Sequence, residues 1–201
     1  ATINASAVYP YDVVRSMKNG DKDVSVAQWA ALPDYLEGNT SNILPVVDVS
    51  GSMETAVSGS VTAMDVAISL GLYLSERTQG TFKDTFMTFS HKPNMVKVSG
   101  DLYQRYTQMS KADWGYNTNL LAVFDCLLTA ATKHKVSPDQ MPSTVLIMSD
   151  MEFDSAIKDN SLTTRQNIEA MYVRAGYAVP NLVFWNIAGR AGNMPVKYDD
   201  A

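Results

Sequence analysis

The stretch of sequence that decides the fold is Ile43-Leu44-Pro45-Val46-Val47-Asp48-Val49-Ser50-Gly51-Ser52. Residues 43–49 are mainly apolar and β-branched, which is typical of a strand buried on both faces of a parallel sheet. Because Pro45 has no backbone N–H, we expect the hydrogen-bonded part of this strand to begin just after it. A loop rich in serine and glycine follows over residues 50–60. The sequence therefore predicts a central strand that leads directly into a polar loop.

Helices and strands alternate along the rest of the chain. Apolar residues at helical spacing predict helices, and short apolar or β-branched runs predict strands. The predicted helices cover residues 62–77, 102–109, 120–131 and 164–175, and the predicted strands cover residues 85–90, 95–98, 145–148 and 182–187. Thr62 and Asp65 are spaced as in a capping box at the start of the first helix. Gly176 is placed to end the last one.

This alternation predicts an α/β fold, a Rossmann-like sandwich with a mostly parallel central sheet and helices on both faces. The run over residues 95–98 follows a tight turn and is predicted to form one antiparallel edge strand. We divide the chain into a lead-in or linker segment, residues 1–42, and a domain over residues 43–201. The lead-in segment contains one short predicted helix over residues 26–31, and its aromatic side chains are expected to attach it to the domain.

The composition excludes several classes of protein. Hydrophobic residues make up 46% and charged residues 18% of the 201 residues, which excludes a disordered chain and a highly charged coiled coil. The net charge of −5 gives no overall basic footprint for a free-standing nucleic-acid binder. Cys126 is the single cysteine, so neither a disulfide framework nor a Cys/His zinc site is expected. Without a membrane span or a signal peptide, the sequence predicts a cytoplasmic protein that does not bind membranes.

Polar residues cluster beyond the carboxyl ends of the predicted strands, where parallel α/β sheets bind ligands. The residues concerned are Asp48, Ser50, Ser52, Thr118 and Asp150. Alternate residues of an extended backbone point the same way, so the first three side chains are expected to face one crevice. Hydroxyl and carboxylate oxygens suit Mg²⁺, Mn²⁺ or Ca²⁺ and do not suit Zn²⁺. The alternative interpretation is that Ser and Asp here only cap a turn or a helix.

The same residues resemble the metal-ion-dependent adhesion site (MIDAS) of von Willebrand factor type A (vWA) domains. That site combines the pattern D-x-S-x-S with a later Thr and a later Asp. More narrowly, the chain is similar to the A-type domain of the DUF2828 family, which is related to the Ro/TROVE proteins. The segments that carry this resemblance are V-V-D-V-S-G-S-M (46–53), D-W-G-Y-N-T-N (113–119), S-D-M-E-F-D (149–154) and V-F-W-N (183–186). They lie in order within residues 26–186.

The resemblance implies a metal site in which hydroxyl groups bind the ion directly. These would be the hydroxyls of Ser50, Ser52 and Thr118, with Asp48 and Asp150 acting directly or through water. An ion with few carboxylate ligands stays electrophilic, so a partner protein with an exposed Asp or Glu would complete the coordination of Mg²⁺, or of Mn²⁺ or Ca²⁺. The expected function is therefore metal-dependent protein binding, without catalysis.

Residues next to these ligands modify that expectation. Asn117, Asn119 and Glu152 are candidates for hydrogen bonds around the ligands, outside direct contact with the metal. Many A domains place Gly after the second Asp, where this chain has Met151. The carboxylate of Glu152 adds negative charge, which would weaken the attraction between the metal and an acidic partner.

Two other functions are weighed against metal-dependent protein binding. A Mg²⁺-dependent phosphohydrolase usually needs Asp-x-Asp after the first strand, and Ser50 stands where the second Asp would be. The similarity to Ro/TROVE proteins implies instead an accessory domain of an RNA-binding protein. In those proteins a helical-repeat domain holds the RNA, and residues 1–201 contain no such domain. RNA is therefore expected as a partner only through that missing helical domain.

The end of the sequence also departs from the family pattern. An A domain of this family continues after the segment V-F-W-N with another strand and a final helix. Residues 188–201 are too few for both, and they contain Gly189, Gly192 and Pro195. We expect the last strand and helix to be absent and the chain to be part of a longer protein.

Overall fold

Helices cover both faces of a central sheet in the computed structural model, which describes residues 8–36, 42–90, 92–112, 120–151, 162–188 and 196–197. The helices are α1 (Pro10–Lys18), α2 (Lys22–Ala30), α3 (Ala63–Arg77), α4 (Leu102–Ser110), α5 (Leu120–Lys133) and α6 (Leu162–Ala175). The strands are β1 (Ile43–Val47), β2 (Ala56–Ser58), β3 (Val61–Thr62), β4 (Thr85–Thr88), β5 (Met95–Lys97), β6 (Thr144–Ser149), β7 (Asn181–Asn186) and β8 (Val196–Lys197). Within these ranges, no helix is long and apolar enough to cross a membrane.

The central sheet has the strand order β5-β4-β1-β6-β7-β8. Strands β4, β1, β6 and β7 run parallel to one another, whereas β5 pairs antiparallel with β4. This arrangement confirms the predicted fold class, a mostly parallel sheet between helices. The prediction of a single antiparallel edge strand was wrong, because β8 pairs antiparallel with β7.

Strand β8 also corrects the prediction that the last strand is absent. It has only two residues, Val196 and Lys197, and it pairs with Phe184 and Val183 of β7. A run this short carries no alternating pattern, and Pro195 directly before it favours a loop on local grounds. Pairing with β7 is what makes these residues a strand. The predicted absence of a final helix falls outside the described residues and stays a prediction.

The strands bury both faces, as their apolar sequences predict. In β1, Val46 belongs to the apolar cluster beneath α5 and α6, whereas Val47 belongs to the cluster beneath α1, α3 and α4. In β6, Ile147 and Met148 divide between the two clusters in the same way. All four side chains have no exposed surface. Because alternate residues face opposite sides, a continuous apolar run is required wherever helices cover both faces.

The expectation for Pro45 was wrong, because β1 pairs with β6 from Ile43 onward. In a parallel strand, alternate residues direct their backbone groups to opposite neighbours. The carbonyl of Val47 accepts from the N–H of Phe89, beyond the end of β4, so Pro45 also faces the β4 side. Pairing with β4 begins only at Val46. The missing N–H of Pro45 therefore costs the sheet no hydrogen bond.

The lead-in segment contains a helix that the sequence pattern did not predict. Helix α1 begins with Pro10 at its first position, and Asp12 accepts a hydrogen bond from the backbone N–H of Tyr9. Pro10 favours a loop when the sequence is read alone, yet proline is also well suited to the first turn of a helix. Val13 and Met17 are buried in the same cluster as α3. The division of the chain at residue 42 stays a prediction.

The start of α3 confirms the predicted capping box. The hydroxyl of Thr62 accepts from the N–H of Asp65 at 3.1 Å, and the Asp65 carboxylate accepts from the N–H of Thr62 at 3.1 Å. The preceding loop is more ordered than expected, since β2 and β3 form a separate two-stranded sheet. This small hairpin connects the polar residues after β1 to α3.

Candidate metal centre

The predicted site lies at a switch point of the sheet, where the connections from two neighbouring strands lead to opposite sides. From β1 the chain passes through α3 to β4 on one side, and it later returns to β6 on the other side of β1. The connections that leave β1 and β6 therefore diverge, which opens a crevice at the carboxyl ends of these two strands. Val47 pairs with Met148 at the last register position of β1. Asp48 and Ser149 consequently stand side by side at the crevice.

Asp48 is held by hydrogen bonds to both of its carboxylate oxygens. The hydroxyl of Ser149 donates to Oδ2 at 2.7 Å, and the backbone N–H of Ser50 donates to Oδ1 at 2.9 Å. The backbone N–H of Asp48 continues the sheet by donating to the carbonyl of Met148 at 3.0 Å. Asp48 is only 4% exposed. A carboxylate in this position is rigidly oriented at the base of the crevice.

The hydroxyls of Ser50 and Ser52 come together through a 3-10 helix over Gly51–Glu54, whereas the spacing predicts an extended backbone here. The hydroxyl oxygens of Ser50 and Ser52 lie 3.0 Å apart. Adjacent oxygens around an octahedral Mg²⁺ with bonds of 2.0–2.1 Å are separated by about 2.9 Å. The two hydroxyls hydrogen-bond each other, and their separation is also compatible with one edge of such an octahedron.

Asp150 lies one residue beyond β6, at the same edge of the sheet as Asp48. The backbone N–H of Met151 donates to the Ser149 hydroxyl at 3.1 Å, which turns the chain away from the strand directly after Asp150. Asp150 is partly exposed, in contrast to the buried Asp48. The structure thus brings both predicted acidic residues to one edge, one at the base and one at the rim.

Four predicted residues fall outside the described part of the chain. These are Asn117, Thr118, Asn119 and Glu152. Their roles stay predictions.

Ser149 is a site residue to which sequence reasoning assigned no role. It has no exposed surface and bridges the two strands, because its hydroxyl donates to Asp48 and accepts from Met151. Its position was visible as a polar residue at the end of an apolar strand. Only the pairing of β1 with β6 shows which carboxylate it reaches.

The donor set fits a hard divalent cation bound with few carboxylates. The described residues contain no cluster of three or more His, Cys, Asp or Glu side chains able to hold a metal. The oxygen atoms that the described residues bring to the crevice include those of the Asp48 carboxylate and the hydroxyls of Ser50 and Ser52. Oxygen donors of this kind match Mg²⁺, Mn²⁺ or Ca²⁺.

Comparison with known proteins identifies a family and a shared fold. The model of a family described as a domain of unknown function (DUF7788) matches residues 42–201. The narrower resemblance to DUF2828 stays a prediction. An uncharacterized protein of Acanthamoeba polyphaga mimivirus, L728, is 31% identical over 204 residues, which cover 98% of this chain and 35% of the relative.

A solved structure has a similar fold. The crystal structure of the Deinococcus radiodurans RO (RSR) protein matches with a TM-score of 0.57 and 14% sequence identity. The match covers 95% of this chain and 40% of the solved chain. At this identity the likeness shows the fold alone. The chain spans less than half of both proteins that it matches.

Proposed function

The chain belongs to the DUF7788 family, and we propose that its domain is a metal-dependent interaction module. In this proposal the crevice at β1 and β6 binds a divalent cation, Mg²⁺ by preference, and an acidic group of a partner protein. The observation that carries it is the geometry at the end of β1, where the buried carboxylate of Asp48 accepts from the Ser50 N–H and the hydroxyls of Ser50 and Ser52 lie within hydrogen-bond distance of each other. The DUF7788 description names no activity, so the argument rests on the site itself.

The residues of the chain have distinct tasks in this proposal. Ser50 and Ser52 supply neutral oxygens, and Asp48 supplies a negative charge whose direction is set by Ser149. The bound cation supplies an open coordination position for a carboxylate. Asp150 at the rim balances part of the cation's charge, with Thr118 as a further hydroxyl donor. A partner carboxylate then gains its affinity from a cation that the protein neutralises only in part.

Recognition is favoured over hydrolysis by the residue types at the crevice. A phosphohydrolase with an aspartyl nucleophile needs a second acid to protonate the leaving group. In the described part of the loop, Ser50 stands at the position of that acid, and its hydroxyl contacts Ser52. We therefore infer binding without turnover.

Thermal melting with Mg²⁺ and with EDTA tests the metal. At a metal concentration of about 100 times Kd, binding stabilises the folded state by about 2.7 kcal/mol, which corresponds to a rise in Tm of about 5–10 °C. Asp48→Asn should abolish that rise. Asp65→Asn is the matched control, because Asp65 is also a buried aspartate, 1% exposed, but lies outside the site. It should lower the baseline Tm and keep the rise with Mg²⁺.

A pair of peptides tests the acidic partner. Peptides that differ only by Glu or Gln at one exposed position are compared in Mg²⁺ and in EDTA. The proposal requires binding of the Glu peptide in Mg²⁺ alone. A wild-type protein that shows no metal-dependent rise in Tm, or a rise that Asp48→Asn retains, would contradict the metal site.

A second candidate is an accessory domain of a Ro/TROVE-like RNA-binding protein. The fold shared with the Deinococcus radiodurans RO protein favours it over other non-enzymatic functions. A gel-shift assay with RNA over a salt series separates the two candidates. Salt-sensitive binding of RNA by the chain, unchanged by EDTA, would favour the second candidate. Binding of the Glu peptide in Mg²⁺ without an RNA shift would favour the first.

A further inference from the structure

The lysine and arginine side chains of this acidic chain differ in whether they have a partner within the chain. Most described Lys and Arg side chains have an ion pair, a hydrogen bond or a ring contact within the chain, as Lys18, Arg77 and Arg105 do. Five exposed lysines have no such contact in the part of the chain that the structure describes, namely Lys92, Lys97, Lys111, Lys133 and Lys135. Two of them, Lys92 and Lys133, line one groove.

This groove runs between α5 and the turn that joins β4 to β5, and its volume is about 510 Å³. Its floor includes Met95, Ala122, Cys126 and Ala130, and its rim includes Lys92, Lys133 and His134. From Ala122 to Lys133, α5 advances about 17 Å. An extended segment of about five residues would span that length. The groove is therefore long and apolar at its base, and its rim carries two lysines and one carboxylate, Asp125.

The open edge of the sheet points into this groove. The N–H of Thr88 donates to the carbonyl of Asn94, so the next residue, Met95, directs its backbone groups away from β4. Burial raises the pKa of the Cys126 thiol, and the nearby Met95 N–H acts against this shift. Sulfur is a weak acceptor. A peptide carbonyl would be a stronger partner for the same N–H.

We propose that the groove between α5 and β5 binds an extended acidic peptide segment of another protein, independently of the metal site. Acidic side chains of the segment would meet Lys92 and Lys133, and alternate apolar side chains would meet the floor at Met95 and Cys126. The backbone of the segment would pair with the free edge of β5, a common mode of peptide recognition. Charge complementarity makes the occupant acidic, because Asp125 is the one carboxylate among the described lining residues.

A peptide fits this groove better than single-stranded RNA, which is also acidic. Proteins that bind single strands usually supply aromatic side chains on which the bases stack. The described residues that line the groove include no phenylalanine, tyrosine, tryptophan or arginine. Asp125 on the rim would also repel an evenly charged phosphate backbone. These features favour a segment with spaced acidic and apolar side chains.

Fluorescence anisotropy in EDTA tests the proposal without interference from the metal site. The probe is a peptide of alternating Glu and Val, and the control probe alternates Lys and Val. We expect the acidic probe alone to bind, and the double variant Lys92→Glu, Lys133→Glu to weaken its binding at least about tenfold. Lys111→Glu is the matched control, because Lys111 is also exposed but lies at the end of α4. It should change the affinity less than about twofold.

Cys126 provides a second measurement, because it is the only cysteine of the sequence. Its thiol is partly exposed in the groove, so a bound peptide should slow its reaction with a maleimide. Equal binding of both probes, full binding by the double variant, or an unchanged reaction rate of Cys126 would overturn the proposal. Tighter binding of a single-stranded RNA, lost in the double variant, would reassign the groove to nucleic acid.

Discussion

The hydroxyl of Ser149 donates a hydrogen bond of 2.7 Å to the carboxylate of Asp48, across two neighbouring parallel strands. The two residues are 101 positions apart in sequence, and both are buried. This hydrogen bond joins the ends of β1 and β6 at the crevice. It orients the one carboxylate at the base of the proposed metal centre.

Ser149→Ala should therefore lower both stability and metal affinity. A hydrogen bond to a buried charged group contributes about 1.5–3 kcal/mol, and its loss should appear in urea unfolding without metal. Ser69→Ala is the matched control, because Ser69 is equally buried but bonds only the carbonyl of Val66 in its own helix. We expect that control to cost less, about 0.5–1.5 kcal/mol, because its partner is a neutral carbonyl. Equal effects of both substitutions would contradict a special role for Ser149.

The ion pair between Lys18 and Asp65 joins α1 to the start of α3, with Nζ and Oδ1 2.8 Å apart. Asp65 is 1% exposed, so Lys18→Met would leave a buried carboxylate without its cation. The expected cost is about 1–3 kcal/mol in urea unfolding at neutral pH. Lys111→Met, at an exposed lysine without an ion pair in the described residues, should cost less than about 0.5 kcal/mol.

The same pair predicts a pH dependence at high pH. Burial lowers the pKa of Lys18, but the hydrogen bond and charge of Asp65, together with Tyr106, outweigh it and raise the pKa overall. A raised lysine pKa stabilises the folded protein at neutral pH, and this contribution is lost as the pH rises through the raised value. The difference in unfolding free energy between wild type and Lys18→Met should therefore shrink in strongly alkaline buffer. A constant difference would argue that the cost comes from side-chain contacts alone.

For Glu76 we expect a pH dependence of stability in the acidic range, where the group destabilises the fold as the pH rises. Burial raises its pKa, although the indole N–H of Trp29 and the charges of Arg105 and Arg77 act against this. The folded state then holds the proton more tightly than the unfolded state, so stability from this group falls as the pH rises above the ordinary glutamate value. Glu76→Gln keeps an oxygen for Trp29 and removes this loss. Relative to wild type, the variant should gain stability as the pH rises from the ordinary glutamate value to the raised one.

Glu169→Gln is the control for that measurement. Glu169 forms a surface ion pair with Arg165, with Nε and Oε1 3.5 Å apart and both side chains about half exposed. Surface pairs of this kind contribute little to stability. Chemical denaturation at several pH values should give nearly parallel curves for this variant and the wild type. If Glu76→Gln also runs parallel, burial does not govern the ionisation of Glu76.

Gly71 determines how closely α3 approaches the sheet. A Cβ atom at this position would lie 3.0 Å from Cγ2 of Val47 and 3.5 Å from Sδ of Met109. Gly71→Val should therefore overfill the core and cost about 1–3 kcal/mol, measured by urea unfolding. Gly51→Val is the control, since nothing lies within 4 Å of its added Cβ. A smaller loss for Gly71→Val than for the control would mean that α3 shifts freely.

Much of the fold was predictable from sequence because its signals are local. The apolar run before Asp48, the capping box of Thr62 and Asp65, and the helical spacing within α3 and α5 each involve residues close in the chain. The same holds for the position of Asp48 and Asp150 after buried strands. Local periodicity and capping depend on few neighbours, so a single sequence carries them.

What tertiary structure alone decided is which distant segments meet. Pairing of β1 with β6 joins Asp48 to Ser149, and pairing of two residues with β7 creates β8. The direction in which Pro45 faces, the burial of α1 and the groove beside Cys126 likewise depend on neighbours far away in sequence. Such contacts carry no local pattern, because each depends on strand order and on the register between segments. The sequence by itself determined the main helices and strands, though not α1, β2, β3 or β8, and the residue types at the crevice. The strand order decided how those residues are held together.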